Sequence, residues 1–358
     1  MTTTRREFLS HAFGASLALA GAARAQDTRP AARQLDILVF GGTGFLGPAF
    51  VRAALARGHR LTLFNRGRTR THLFPEVARI VGDRDPAKGE GLKNLAKVVG
   101  EGRRFDAVLD DIAYYPVLLR PSLELLKDAA AHYVLISSIS AYARNDAAGQ
   151  DESAPVAQLD DPARRDMGKE YEHYGALKAA CEAMAESLFP KRCTNVRPGY
   201  IVGPEDPTDR FTWYPARHAR GGEMLWPGTP DDPLQIIDVR DLGAWLVTVI
   251  ERRHLGVFNA VGPGEAPWTM GGLLAACKEA SGAGTKPVWV PAEFLAQQGE
   301  KGDAGIPIWM PPMGESLGYH RYANAKARAA GLTFRDPKAT TRDTLEWFRS
   351  LPAQRTET

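Results

Sequence analysis

The chain has 358 residues, of which 24% are charged and 44% are apolar, and its formal net charge is +3. This composition is that of a globular protein and excludes a disordered, collagen-like or coiled-coil chain. The 3 cysteines are too few and too scattered for a disulfide framework or a zinc site, so no metal is predicted. The small charge gives no sign of a nucleic-acid partner, and no apolar run is long enough to predict a stable membrane span.

Residues 1–25 have the order of regions found in an export signal. Arg5 and Arg6 precede a short apolar run, and small residues follow up to Ala25. The arginine pair resembles a twin-arginine signal, and an ordinary secretory signal is the alternative. The sequence therefore predicts delivery to the periplasm by the twin-arginine export machinery, cleavage near Ala25, and a flexible linker over 26–34.

From residue 35 onward the pattern predicts strands that alternate with helices. The predicted strands are 35–40, 60–64, 79–81, 105–109, 132–136 and 193–196, and the predicted helices are 45–57, 117–130 and 171–188. Such alternation is typical of an α/β fold with a doubly wound parallel (Rossmann) sheet. We expect this dinucleotide-binding domain to cover 35–200 and to include 234–260, whereas 201–233 and 261–350 form a smaller, interleaved C-terminal substrate lobe.

A glycine-rich turn follows the first predicted strand and opens the first predicted helix. Gly41 permits a tight turn, Gly44 lets the backbone approach a pyrophosphate, and Gly47 lets the helix pack closely on the strand. The N–H groups at the helix start favour phosphate. This strand–turn–helix context predicts a dinucleotide site, and a turn without a ligand is the alternative. The expected phosphate-binding residues are Gly41, Thr43, Gly44, Phe45, Leu46 and Gly47.

The end of the second predicted strand carries no carboxylate of the kind that binds the ribose hydroxyls of NAD. It carries Asn65, Arg66 and Arg68 instead, and two guanidinium groups can clamp a 2′-phosphate. The sequence therefore favours NADP over NAD, and solvated loop charges are the alternative. Asp83 ends the third strand, where its carboxylate can accept a hydrogen bond from adenine or simply shape the turn.

Tyr174 and Lys178 are four residues apart and share one face of a predicted helix. An ammonium group beside a phenol favours the phenolate, so the pair suits proton exchange with an alcohol or carbonyl group. Lys178 can also hold a nicotinamide ribose. Ser137 and Ser138 end the fifth predicted strand, where hydroxyl groups point into the crevice in which such sheets bind ligands.

These motifs together resemble the extended short-chain dehydrogenase/reductases, in the branch called the NAD-dependent epimerase/dehydratase family. The resemblance covers about 35–260, includes Arg197-Pro198-Gly199, and extends more loosely to 350. It implies that Tyr174 is the acid/base, that Lys178 assists it, and that Ser138 binds the reacting carbonyl group, with Ser137 as the runner-up. The fourth strand departs from the family pattern: it ends in Asp110-Asp111, where many members carry His and small residues.

A further group of aromatic and basic residues is predicted to contact the substrate, because aromatic faces stack on sugar rings and arginines bind phosphates or carboxylates. These residues are Tyr114, Arg210, Trp213 and Arg217, and core packing is the alternative for the aromatic ones. We expect an NAD(P)-dependent epimerase/dehydratase-like oxidoreductase for a sugar-like or polyhydroxy substrate, with a tightly held cofactor because the periplasm supplies no free NADP.

Two other interpretations remain open. One is an NADP-dependent reductase or dehydrogenase with exchanging cofactor. The other is a non-catalytic dinucleotide-binding member, similar to chloroplast relatives that bind RNA, although the nearly neutral charge argues against a nucleic-acid partner. The sequence is also compatible with a homodimer.

Overall fold

The computed structural model of the protein describes residues 30–264, 267–300, 302 and 305–352. The predicted export signal and residues 26–29 of the predicted linker lie outside the described residues. Within the described ranges, no helix is long and apolar enough to cross a membrane.

The first half of the chain alternates strands with helices, as the sequence predicts. In order it contains β1 (Asp36–Phe40), α1 (Leu46–Ala56), β2 (Arg60–Asn65), β3 (Ala78–Val81), α2 (Lys93–Gly100), β4 (Ala107–Asp110), α3 (Pro116–Leu126), β5 (Tyr133–Ile136), α4 (Tyr174–Leu188) and β6 (Cys193–Pro198). A short 3-10 helix, Ile139–Ala141, follows β5.

The second half has shorter elements and long connections. It contains β7 (Tyr200–Val202), α5 (Trp213–Ala219), β8 (Glu223–Pro227), β9 (Pro233–Leu234), β10 (Ile236–Asp238), α6 (Val239–Arg252), β11 (Gly256–Ala260), β12 (Trp268–Thr269), α7 (Met270–Ser281), β13 (Lys286–Val290), α8 (Ala292–Gln297), α9 (Ala325–Ala329) and α10 (Pro337–Arg349).

One parallel sheet of seven strands organises the larger part of the molecule, in the order β11-β6-β5-β4-β1-β2-β3. The central strands are apolar and buried along their length, because helices cover both faces. The predicted α/β class with a doubly wound sheet is therefore confirmed. The chain order reverses between β1 and β4, and ligands of such sheets bind beyond the carboxyl ends of the strands at this point.

The smaller lobe is built from three two-stranded pairs, β7 with β10, β9 with β12 and β8 with β13. Trp226 and Trp309 fill its core and are each at most 1% exposed. The segment around α9 does not follow the predicted boundary between the dinucleotide-binding domain and the smaller lobe. Ala327 and Leu332 pack with α1 and α6 in the core of the main sheet, although the sequence places this stretch in the lobe.

A buried ion pair fastens α4 to the sheet. The Arg197 guanidinium on β6 donates to both carboxylate oxygens of Glu182 on α4, at 2.9 and 2.6 Å. The same guanidinium lies over the ring of Tyr142, 4.6 Å from its centroid. Because α4 carries Tyr174 and Lys178, this pair helps to fix where those two side chains lie.

We expect Glu182→Gln to lower the free energy of unfolding by ~3–5 kcal/mol, because it leaves a buried guanidinium without its counter-charge. Denaturant unfolding followed by circular dichroism measures this loss. Glu223→Gln is the matched control, since Glu223 pairs with Lys286 on the surface, where both side chains are at least 66% exposed. Equal, small effects of the two substitutions would contradict a structural role for the buried pair.

Candidate functional site

The glycine turn is shaped by close backbone contacts between the end of β1 and the start of α1. Gly41 and Gly42 have positive φ angles of 106° and 86°. A Cβ atom on Gly47 would lie 2.6 Å from the backbone of Gly42, so the helix can approach the turn only with glycine there. A Cβ atom on Gly44 would meet nothing within 4 Å, which leaves open space above that part of the turn.

A cavity of about 390 Å³ opens beside this turn, at the carboxyl ends of β1, β2 and β3. It brings together most of the predicted cofactor residues, namely Gly41, Thr43, Gly44, Asn65, Arg66, Arg68 and Asp83. Phe45, Leu46 and Gly47 do not line it and form the start of α1 beside it. Phe45 provides no side-chain cap for the helix, and backbone N–H groups at a helix start favour an anion.

The two predicted arginines and Asn65 have different surroundings. Arg66 and Arg68 are exposed residues on the cavity wall. The Asn65 side chain shapes the loop: its amide donates to the carbonyl of Gly41 at 3.4 Å, and its oxygen accepts from the N–H of Gly67 at 3.0 Å. Asn65 thus ties the end of β2 to the glycine turn.

Sequence reasoning missed Arg70, which also belongs to this loop. Its guanidinium donates to the carbonyl of Gly44 at 2.8 Å and pairs with the carboxylate of Glu205, from the segment after β7. Glu205 also pairs with Arg52 of α1 at 2.8 Å. The only available signal was the position of a third arginine two residues beyond Arg68. That position does not reveal that its partner is Glu205, which is distant in sequence.

Asp83 lines the cavity and also shapes its own turn, since its carboxylate accepts from the N–H of Asp85 at 3.0 Å. The neighbouring Arg84 was not predicted. Its guanidinium is buried, donates to Asp110 at 2.6 Å, and lies over the ring of Phe40, 4.6 Å from the centroid. Asp110 also accepts a hydrogen bond from the hydroxyl group of Tyr133. The positive charge of Arg84 therefore balances the negative charge of Asp110.

The start of α4 packs directly on the turn that follows β5. A Cβ atom on Gly175 would lie 2.1 Å from the carbonyl oxygen of Ser140, so only glycine allows this approach. Tyr174, the first residue of α4, is thereby placed next to the turn that carries Ser138. This contact brings the first turn of α4 next to the segment that carries the predicted Ser138 hydroxyl group.

Lys178 is held one helical turn further along α4. Its ammonium group donates to the carbonyl oxygens of Ile136 and Ala113, at 2.6 and 2.7 Å. These carbonyl groups lie at and just beyond the ends of β5 and β4. The ammonium group also lies 4.9 Å from the ring centroid of Tyr114. The residue is 3% exposed, so these buried contacts fix the position of its charge one turn from Tyr174.

The two serines differ in how their hydroxyl groups are used. The Ser138 oxygen accepts from the N–H of Ser140 at 3.1 Å and caps the short 3-10 helix. The Ser137 oxygen is buried and has no hydrogen-bond partner among the described residues. Ser138 is the more exposed of the two, at 9% against 3%. The choice of Ser138 stays a prediction.

The four predicted substrate residues have different surroundings. Tyr114 lines the cavity beside the glycine turn, on the cofactor side. The Arg210 guanidinium lies 5.3 Å from the ring centroid of Tyr200, and Trp213 is 39% exposed at the start of α5. The Arg217 guanidinium donates to backbone carbonyl groups that follow α5, so the geometry gives it a local structural role and lends no support to substrate contact.

Comparison with known proteins places this site in a family. The model of the NAD dependent epimerase/dehydratase family matches residues 37–260. The chloroplast stem-loop binding protein of 41 kDa b from Arabidopsis thaliana is 27% identical over 269 residues, which cover 70% of this chain and 65% of that protein. The match thus spans less than two thirds of that relative. Human epimerase family protein SDR39U1 is 26% identical over 247 residues, which cover 65% of this chain and 76% of that protein.

Solved structures show the same fold. A putative epimerase from Burkholderia cenocepacia J2315 has a TM-score of 0.66 at 21% identity, and the match covers 90% of this chain and 100% of that one. The UDP-glucose 4-epimerase of Thermus thermophilus, in complex with NAD, has a TM-score of 0.60 at 21% identity, with 88% and 99% covered. Because the family model matches more than half of the residues, this chain belongs to the NAD dependent epimerase/dehydratase family.

Proposed function

We propose that the protein binds NADP in the cavity beside the glycine turn and carries out proton and hydride transfer on a sugar-like or polyhydroxy substrate. The observation that carries this proposal is the contact of Gly175 with the Ser140 carbonyl group. This contact sets the start of α4, which carries Tyr174 and Lys178, against the segment that carries Ser138, and it supports a shared site for the three residues. A binding protein without catalysis has no need of this assembly.

The residues present suit a nicotinamide dinucleotide. Open space above Gly44 and the uncapped start of α1 suit a pyrophosphate, and the cavity has the size of a small-molecule site. Arg66 and Arg68, on the cavity wall, suit a 2′-phosphate. The chemistry that such a dinucleotide supplies when bound is the acceptance and return of a hydride.

The side chains of this protein supply the proton chemistry. Tyr174, as the phenolate, takes the proton of a substrate hydroxyl group, and the resulting phenol returns it to the carbonyl oxygen. The Lys178 ammonium group, fixed by two carbonyl groups, places a positive charge one helical turn from Tyr174. The Ser138 hydroxyl group orients the reacting oxygen. Redox-neutral reactions, epimerisation or dehydration, suit a cofactor that stays bound, whereas a reductase needs one that exchanges.

A second candidate function rests on the similarity to the chloroplast stem-loop binding protein. In that case the cavity would serve binding alone, and Tyr174 would have no chemical role. The catalytic proposal predicts a different outcome for a substitution that removes only the phenol oxygen.

Tyr174→Phe is expected to lower the rate of hydride transfer ~10²–10⁴-fold, because no other group of the motif exchanges the substrate proton. Nicotinamide absorbance, followed with a panel of sugar nucleotides and polyols, measures the rate. Tyr171→Phe is the matched control, since Tyr171 lies three residues earlier and is 69% exposed. Thermal unfolding should be nearly unchanged in both variants. Native turnover in Tyr174→Phe would overturn the catalytic proposal.

Arg66→Ala and Arg68→Ala should each weaken NADP binding roughly 10- to 100-fold, because each removes a charge-assisted hydrogen bond of about 1.5–3 kcal/mol. NAD binding should change little, and it serves as the internal control for the fold of the loop. Calorimetric titration of both dinucleotides into stripped protein provides the affinities. A native chain that binds NAD more tightly than NADP would refute the preference.

We also propose that the twin-arginine machinery exports the folded protein to the periplasm with its cofactor already bound. Changing Arg5 and Arg6 together to lysine should then leave the precursor in the cytoplasm, because a receptor reads the pair. Fractionation of cells with antibody detection measures the distribution. Undiminished periplasmic delivery of the double variant, beside a native control, would argue for an ordinary secretory signal.

A further inference from the structure

Two consecutive carboxylates stand at the end of β4, at the point where the strand order reverses. Asp110 is 0% exposed, and Arg84 and Tyr133 bind its carboxylate. Asp111 follows it and has different surroundings. The backbone N–H of Gly47, in the first turn of α1, lies close enough to its carboxyl group to lower the pKa of Asp111. The second carboxylate therefore occupies part of the helix start that suits a phosphate.

Asp111 also lies directly beside the glycine turn. An ideal Cβ atom on Gly41 would be 3.6 Å from the Asp111 Cβ atom and 3.8 Å from its Oδ2 atom. Gly41 itself lines the cavity. A pyrophosphate that follows the turn to the start of α1 would therefore meet this carboxyl group. An ionised Asp111 would repel it, whereas a neutral one can donate a hydrogen bond to a phosphate oxygen.

We propose that Asp111 is a dinucleotide-binding residue that acts as a neutral acid: one oxygen accepts from the Gly47 N–H while the protonated oxygen donates to the pyrophosphate. Binding of the dinucleotide to the ionised protein then takes up one proton from solvent. This inference rests on the proposed dinucleotide site and goes beyond it, since it assigns a charge state to a residue at which the chain departs from its family's pattern.

The charges around Asp111 support this assignment. Burial of the carboxyl group raises the pKa of Asp111 to about 7; Lys178 on α4 lowers it and Asp110 on β4 raises it. The ammonium group of Lys178 donates to two carbonyl groups instead of pairing with this carboxylate. Tyr114, after β4, is the other titratable group that faces it. The glycine turn contributes no titratable side chain.

The direction of the pH dependence follows from this charge state. Below a pH of about 7 the free protein already carries the proton, so binding needs no uptake. Above it, the ionised form must first be protonated, and the affinity should fall by up to roughly tenfold per pH unit. NAD is the cleaner ligand for this measurement, because its pyrophosphate does not titrate near neutrality, unlike a 2′-phosphate.

The experiment is calorimetric titration of NAD and NADP into the full-length protein between pH 6 and 9, in buffers of different ionisation enthalpy. We expect uptake that approaches one proton above neutrality with both ligands. In Asp111→Asn, which keeps the shape and a donor, the uptake should disappear, and the affinity should be flat with pH and exceed the native affinity at high pH. Asp128→Asn is the control. Asp128 is exposed, so this substitution should leave the pH dependence of binding as in the native protein.

The outcomes separate this inference from the proposed function. Tight binding of dinucleotide with no proton uptake by the native protein would overturn the role of Asp111 and leave the dinucleotide site standing. The same holds if Asp111→Asn keeps the native pH profile. Failure of both dinucleotides to bind the native protein at every pH would overturn the dinucleotide site itself.

Discussion

The contact between Gly175 and the carbonyl group of Ser140 is the constraint on which the site depends. It sets the distance between α4 and the turn after β5, and α4 carries the phenol and the ammonium group. The buried pair of Glu182 and Arg197 holds the same helix two turns further along. Together the two contacts fix where α4 lies against the sheet and the turn after β5.

The parallel sheet explains why these groups meet although they are far apart in sequence. Each strand ends at the same edge, so the glycine turn after β1, the acidic pair at the end of β4 and the serines after β5 are neighbours in space. Lys178 joins two of these ends by donating to carbonyl groups beyond β4 and β5. A substitution of Lys178 would therefore disturb the scaffold as well as the chemistry, and its effect on rate alone would overstate a catalytic role.

The parts of this site that could be predicted from the sequence are those with a local signal. The glycine spacing and the interval from Tyr174 to Lys178 each depend on neighbours within a few residues. Arg70 and Arg84 could not be found in this way, because their partners Glu205 and Asp110 are brought near only by the tertiary fold. Arg217 is the converse case: its contact with substrate stays a prediction, and its carbonyl partners lie a few residues away, where a sequence pattern cannot separate a helix end from a ligand contact.

The carboxylate of Glu205 joins the helix and loop around the glycine turn to the segment that leaves β7 for the smaller lobe. Its partners Arg52 and Arg70 are 49% and 30% exposed, so dissolved ions reach both pairs. Salt weakens such attractions over a screening distance of about 8 Å at physiological ionic strength. The connection between the lobes at this point therefore depends on the ionic strength of the compartment, whereas the buried contacts beneath α4 do not.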